Sequence, residues 1–220
     1  MKKNILEKTT EEGDFLAGLI ELQYGQPVVD TLKQISQHVD WAHGWPEDKV
    51  AFWNAEAFMW RHKIDKEKRA LIQQELAFLQ GGRNLDLGCG AYSYIPSVGL
   101  DISPTMLLLN DLCTEKIIGD VEKKLPFTSG NFDSVTALFL CNYVVNYHSL
   151  LREIKRVLKH KGYFLMVLSA KKINDWQRQK EVHRFSVDEW TRIILTMGFE
   201  VKAYSKEELH FWVGRKSKSY

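Results

Sequence analysis

The sequence has few cysteines, almost no net charge and no long apolar run, and each shortage excludes a class of protein. Its three cysteines show no metal-ligand spacing, and their odd number argues against a disulfide framework. A net charge of +2 argues against a large nucleic-acid-binding surface. No apolar stretch approaches the roughly 18 residues that a membrane-spanning helix needs. The chain turns acidic at Glu7, too early for a signal peptide. We therefore expect a cytoplasmic protein without a membrane span, a bound metal or a nucleic-acid partner.

The first 80 residues differ from the rest because they predict helices separated by breaks. Apolar residues recur three times at the spacing of one helix face, and Gly81-Gly82 then predicts a helix end. The three stripes are Val28, Leu32, Ile35 and Val39; Trp53, Ala57, Trp60 and Ile64; and Leu71, Leu76 and Leu79. We interpret residues 1–80 as a helical cap or lid and residues 81–220 as a second domain.

From Arg83 onward, strand-like and helical patterns alternate, which is typical of a parallel α/β sheet. Ser103-Pro104 predicts the start of a helix that continues to about Leu112. Ser186 and Glu189 predict a capping box at the start of a later helix. Apolar runs predict strands at 84–87, 99–101, 116–118, 132–139, 163–168, 199–204 and 209–214, the last two joined as a hairpin.

A glycine-rich turn after the first predicted strand is the most informative feature. It has the sequence Asp86-Leu87-Gly88-Cys89-Gly90, and the next two strand-like runs end at Asp101 and Asp120. Glycines let a nucleoside approach the main chain, and carboxylates at neighbouring strand ends suit a cationic cofactor better than a pyrophosphate. Asp101 follows Gly90 by only eleven positions, too few for a full crossover helix. We therefore expect a turn over residues 91–96, which opens one wall of the site or lets Tyr92 and Tyr94 fill it.

The order and spacing of these segments resemble the class I S-adenosylmethionine-dependent methyltransferases, in the branch of small-molecule methylases that includes quinone-biosynthesis enzymes. Further matching segments are 119–122, 125–127, 130–133 and 153–162, and the resemblance covers roughly residues 83–214. It implies an α/β fold with a Rossmann-like seven-stranded sheet, mostly parallel with its last strand antiparallel. It also implies S-adenosylmethionine as the cofactor and S-adenosylhomocysteine as the product.

The resemblance further implies how the cofactor is held. Asp86 would lie near its amino group, Asp101 would accept both ribose hydroxyls, and Asp120 would accept from the adenine amine. The implied set is Asp86, Gly88, Cys89, Gly90, Asp101, Ile102, Asp120, Val121, Leu138 and Phe139. For Cys89, a small buried spacer is the simpler interpretation than a nucleophile.

The candidates for the acceptor site follow the fourth strand or come from the cap. Asn142 and Tyr143 lie after this strand and would touch the substrate. His148 is the candidate general base, although surface or capping roles are commoner for a lone histidine. Trp53 and Trp60 would line the acceptor pocket or belong to the core of the cap. His183 would lie at the edge of the pocket or be a loop residue without a functional role.

We therefore predict a methyltransferase that acts on an oxygen, nitrogen or carbon nucleophile of a small molecule, as a monomer or homodimer. A catalytically silent S-adenosylmethionine-binding module stays open, because methyl transfer demands no obligatory catalytic side chain. A protein or RNA methyltransferase is disfavoured by the charge. A nicotinamide oxidoreductase is disfavoured because Ser93 stands where its fingerprint needs glycine.

Overall fold

The computed structural model describes residues 5–171 and 178–217, which build helices on both faces of a seven-stranded sheet. The helices are α1 (Ile5–Gln23), α2 (Val29–Ser36), α3 (Lys49–Lys63), α4 (Lys66–Leu76), α5 (Pro104–Leu109), α6 (Tyr147–Val157) and α7 (Val187–Thr196). The strands are β1 (Asn84–Leu87), β2 (Ser97–Asp101), β3 (Cys113–Ile118), β4 (Phe132–Leu138), β5 (Leu158–Ser169), β6 (Phe199–Lys206) and β7 (Leu209–Lys216).

The strand order is β3-β2-β1-β4-β5-β7-β6. Strands β1 to β5 pair in parallel, and β7 lies antiparallel between β5 and β6. The predicted Rossmann-like sheet, with its last strand antiparallel, is confirmed. Strand β1 is flanked by β2 and β4, with Leu87 opposite Leu100 and Asp86 opposite Thr136. Parallel strands end at one edge of a sheet, so the segments that follow β1, β2, β3 and β4 meet there.

Two cores cover the sheet, and the side chains of β5 alternate between them. The core under α6 and α7 includes Leu150, Ile154, Phe164, Met166, Trp190 and Ile194. The core on the opposite face includes Trp60, Ile72, Leu76, Leu165, Val167 and Phe211. A third cluster joins α1, α2 and the first half of α3 through Phe15, Leu32, Trp45 and Phe52. Helix α3 therefore belongs both to the N-terminal cluster and to the sheet.

Helix α4 packs directly on the sheet. Its Ile72 and Leu76 are fully buried in the sheet's core, and its Glu75 accepts a hydrogen bond from the Tyr204 hydroxyl at 2.6 Å. The domain boundary at residue 80 stays a prediction, but α3 and α4 share a core with the strands.

The connection from β1 to β2 is a turn, as expected, and contains no helix. Helix α4 covers this turn: Gln73 donates to the Tyr92 hydroxyl at 3.0 Å, and the Arg69 guanidinium lies 4.6 Å from the centre of the Tyr92 ring. Tyr94 is buried in the same core. The two tyrosine rings meet edge to face at 5.2 Å and pack in the core between this turn and α4.

The capping box of Ser186 and Glu189 is confirmed, but three predicted boundaries differ from the structure by three residues or more. Helix α5 ends at Leu109 rather than Leu112, because Asn110 leaves the helix and turns its amide towards the glycine turn. Strand β3 begins at Cys113, three residues earlier than its apolar run. Strand β5 begins at Leu158 and passes through an irregularity in which Lys161 has a φ of 63°.

Within the described ranges, no helix is long and apolar enough to cross a membrane. The same residues contain no group of three or more histidine, cysteine or carboxylate side chains that could hold a metal ion. The cytoplasmic location and the monomeric or dimeric state stay predictions.

Two neighbouring residues of α7 test the core assignment. We expect Ile194→Ala to lower the free energy of unfolding by about 2 to 5 kcal/mol, because the fully buried side chain leaves a cavity. Leu195 is 50% exposed on the same helix, so Leu195→Ala should change this free energy by less than about 0.5 kcal/mol. Urea unfolding followed by circular dichroism measures both. Equal losses would contradict the packing of α7.

Candidate functional site

The glycine turn after β1 requires glycine at two positions. Gly88 and Gly90 have φ values of 57° and 58°, in the left-handed region that side chains disfavour. A Cβ atom on Gly88 would lie 2.6 Å from Leu140 Cδ1, and one on Gly90 would lie 3.0 Å from Trp60 Nε1. The turn is therefore held closely between the segment after β4 and helix α3.

Asp101, at the end of β2, ties the turn to the next strand. Its Oδ2 accepts the Gly90 backbone N–H at 2.9 Å, and its Oδ1 accepts the Ser103 N–H at 2.9 Å. Burial raises the pKa of this carboxyl to about 6, against the hydrogen bonds that lower it. Each oxygen keeps a second lone pair for a ligand donor.

Asp86 lies beneath the turn rather than in front of it. Its oxygens accept hydrogen bonds from the Ser93 hydroxyl at 2.7 Å and the Thr136 hydroxyl at 2.8 Å. Burial raises its pKa to about 6, and the nearby charge of Asp101 adds to the shift. Its role beside the cofactor's amino group stays a prediction, because the side chain does not line the cavity described below.

Asn110 fixes the turn from the side of α5. Its amide nitrogen donates to the Gly90 carbonyl at 2.9 Å and to the Ser93 hydroxyl at 3.0 Å, and its Oδ1 accepts the Ser93 backbone N–H at 3.2 Å. The side chain is fully buried. Sequence reasoning missed Asn110, because an asparagine after a helix is common and carries no signal of its own.

Cys89 is buried behind the turn, as expected for a small spacer. Its sulfur lies 3.9 Å from that of Cys113 at the start of β3. Both sulfurs lie over Gly99 of β2, where a Cβ atom would be only 3.0 Å from Cys89 Sγ. Both thiols are free.

Helix α3 is joined to the strand ends through two polar side chains. Near its start, Lys49 Nζ lies 2.8 Å from Glu122 Oε2 and 3.3 Å from Asp120 Oδ1. Burial lowers the pKa of Lys49, but the two carboxylates raise it more. One turn further along, Asn54 Oδ1 accepts the Ser103 hydroxyl at 2.6 Å. Neither contact was foreseen, since both depend on how distant segments pack.

A cavity with about 600 Å³ of empty space, including the part open to solvent, lies between α3 and the ends of β1 to β4. Most predicted site residues line it: Trp53, Trp60, Gly88, Gly90, Asp101, Ile102, Asp120, Val121, Leu138, Phe139 and Tyr143. The remaining lining residues are Lys49, Met106, Gly119, Leu140 and Val144.

Three predicted acceptor residues lie outside this cavity. His148 is exposed on α6 with its ring 4.3 Å from that of Tyr147, and His183 Nε2 lies 3.1 Å from the Val145 carbonyl oxygen. Asn142 lines a smaller neighbouring cavity of about 250 Å³ with Glu181. The structure therefore brings neither histidine to the cavity wall.

A second cavity, of about 520 Å³, adjoins the first. The two share Lys49, Trp53 and Tyr143, and the rings of Trp53 and Tyr143 meet edge to face at 5.1 Å. Its other lining residues are Glu47, Phe52, Glu122, Val145 and Lys180.

Comparison with known proteins agrees with this architecture. A family model described as a methyltransferase domain matches residues 85–166. A sterol 4-C-methyltransferase of Caenorhabditis elegans is 27% identical over 142 residues, or 55% of this chain and 42% of the relative. The chain thus spans less than half the length of this curated relative.

Solved structures share the fold at low identity. A chain from the complex of the Haloferax volcanii Trm112 methyltransferase activator with a putative methyltransferase has a TM-score of 0.64 and 21% identity, covering 76% of this chain and 98% of that one. A Thermotoga maritima methyltransferase, described as a possible histamine N-methyltransferase, has a TM-score of 0.61 and 17% identity. The match covers 75% of this chain and 98% of that one.

The pKa of Asp86 predicts a pH-dependent effect of Asp86→Asn on stability. The pKa of Asp86 is near 6 in the folded protein, above the 3.8 expected in the unfolded chain. The folded protein therefore loses stability as the pH rises from about 4 to about 6. The amide carries no charge, and the Ser93 and Thr136 hydroxyls can reorient towards it. We expect the variant to gain about 1 to 3 kcal/mol over the wild type at pH 7.5 and little at pH 4.

Asp133→Asn is the control with the opposite sign. Lys159 lowers the pKa of Asp133, so this carboxylate stabilises the fold above about pH 4 and loses that effect in acid. Urea unfolding across this pH range measures both variants. A gain for Asp86→Asn that does not change with pH would contradict the assignment.

Proposed function

We propose that the chain, whose residues 85–166 match a methyltransferase domain, is a class I S-adenosylmethionine-dependent methyltransferase. It would transfer a methyl group from S-adenosylmethionine to an oxygen, nitrogen or carbon atom of a small molecule. The observation that carries this proposal is the pair of adjoining cavities. One holds the glycine turn and Asp101, and the other shares Trp53 and Tyr143 with it. A donor in the first cavity would face an acceptor in the second.

The first cavity suits the cofactor in shape and in charge. The turn at Gly88 and Gly90 leaves room that a Cβ atom would fill. Asp101 presents a carboxylate to ribose hydroxyls, while Ile102 supplies an apolar surface for the adenine. Asp120 uses its Oδ1 for Lys49, and its other oxygen would accept from the adenine amine.

The protein's own part in the reaction is to orient and to exclude water. When bound, the cofactor supplies a methyl group that its sulfonium already activates. Trp53 and Tyr143 form an aromatic wall where the cavities meet, and Phe139 lines the first cavity beside them. These rings would keep water from the donor and limit the acceptor's approach. Neither His148 nor His183 is needed for this arrangement.

The second cavity favours a small acceptor of low net charge. Two lysines, Lys49 and Lys180, balance two glutamates, Glu47 and Glu122, in its lining. Aromatic rings supply much of the remaining surface. Two of the similar proteins have names that refer to small acceptors, a sterol and histamine, which supports the class without fixing the compound.

Labelled methyl transfer into a cell extract tests the acceptor class. The extract is divided into small molecules, protein and RNA, and each part is incubated with the enzyme and tritiated S-adenosylmethionine. We expect label in the small-molecule part alone. Label in the protein or RNA part would contradict a small-molecule acceptor and indicate a macromolecular one. Cofactor binding without label in any part would favour a silent binding module.

Asp101→Ala tests the ribose contact. The variant loses a charged acceptor for two hydroxyls, so we expect the Kd for S-adenosylhomocysteine to rise at least tenfold. Isothermal titration calorimetry measures it. Asp188→Ala removes an exposed aspartate from α7 and should leave the Kd unchanged. A Kd within twofold of the wild type for Asp101→Ala would refute the contact.

A further inference from the structure

Trp60 of α3 lies against the glycine turn and lines the first cavity but not the second. Its indole is 9% exposed, and the edge that carries Nε1 lies 3.0 Å from the Cβ position of Gly90. The ring meets that of Phe139 edge to face at 6.4 Å. Trp53 and Tyr143, by contrast, also line the second cavity.

The indole N–H of Trp60 donates to no acceptor among the described residues. Other tryptophans of the chain do use this group: Trp41 donates to Glu12 at 2.7 Å, and Trp212 donates to Thr191 at 2.9 Å. Because Trp60 lines the first cavity, its N–H is open to a ligand that supplies an acceptor. Trp60 therefore presents a donor at the glycine end of the cavity.

Helix α3 fixes where this donor lies along the cavity. Lys49, eleven residues before Trp60, meets Asp120 at the end of β3, whereas Trp60 meets Gly90 after β1. Eleven residues of helix span about 16 Å, so α3 lies along the cavity from one end to the other. Asp101 and Asp120 place negative charge towards the nucleoside end, which disfavours an anionic group there.

We infer that the Trp60 indole N–H donates a hydrogen bond to the carboxylate of the cofactor's methionine moiety. This assignment rests on the proposed function and moves Trp60 from the acceptor set to the cofactor set. The carboxylate is the anionic group of S-adenosylmethionine, and it would meet the donor at the end of the cavity away from Asp120.

Two ligands and one conservative variant test the inference. S-adenosylhomocysteine carries the carboxylate, whereas 5′-methylthioadenosine shares the nucleoside and the thioether but lacks it. Trp60→Phe keeps an aromatic ring and removes the N–H. We expect this variant to raise the Kd for S-adenosylhomocysteine about tenfold and to leave that for 5′-methylthioadenosine within twofold. Trp41→Phe, which makes the same change outside the cavity, should alter neither Kd.

The outcomes separate this inference from the proposed function. If Trp60→Phe raises the Kd of both ligands equally, or of neither, the proposed hydrogen bond is wrong, but the proposal that the cavity binds the cofactor still stands. Failure of the wild type to bind either ligand would overturn both proposals. In wild-type protein labelled with ¹⁵N at its seven tryptophans, one indole resonance should move downfield with S-adenosylhomocysteine and not with 5′-methylthioadenosine. The absence of such a resonance would also overturn the inference, even if Trp60→Phe does not fold.

Discussion

The buried hydrogen-bond cluster beneath the glycine turn is the constraint on which the site depends. Asn110, Ser93 and Thr136, all buried, hold the turn and the buried Asp86 carboxylate in place. Two carboxyls with pKa values raised to about 6 lie in this small volume, and that arrangement costs stability at neutral pH. Under the proposed function, the desolvated and oriented carboxylate of Asp101 would bind ligand hydroxyls strongly.

Helix α3 is the second constraint, since it forms one whole wall of the cavity. Lys49 and Asn54 join it to the ends of β3 and β2, and Trp60 packs on the turn after β1. Its opposite side is buried with α1 and α2 through Phe52. Among the N-terminal helices, α3 is therefore part of the cavity wall and not only a cover over it.

Local sequence predicted the parts of the site that depend on local geometry. Gly88, Gly90 and Asp101 follow from a strand, a tight turn and a strand end, and the missing crossover helix follows from a short spacing. Lys49, Asn54 and Asn110 could not be predicted in this way, because each acts on residues that are distant in sequence. The stripe containing Trp53 and Trp60 predicted a helix correctly but not which residue faces which cavity. The early start of β5 depends on an irregular pairing with β4 that no apolar pattern shows.

The pairing of Lys49 with Asp120 has a consequence for how the chain folds. These residues are 71 positions apart, and Asn54 is 49 positions from Ser103. The cavity wall formed by α3 therefore depends on contacts between residues that are far apart in the sequence. Contacts of such high sequence separation form late and slowly, after local helices and turns. During synthesis, α3 leaves the ribosome well before its partner strands exist, and its apolar face must wait for them. We therefore expect the cavity to be among the last features of the molecule to assemble.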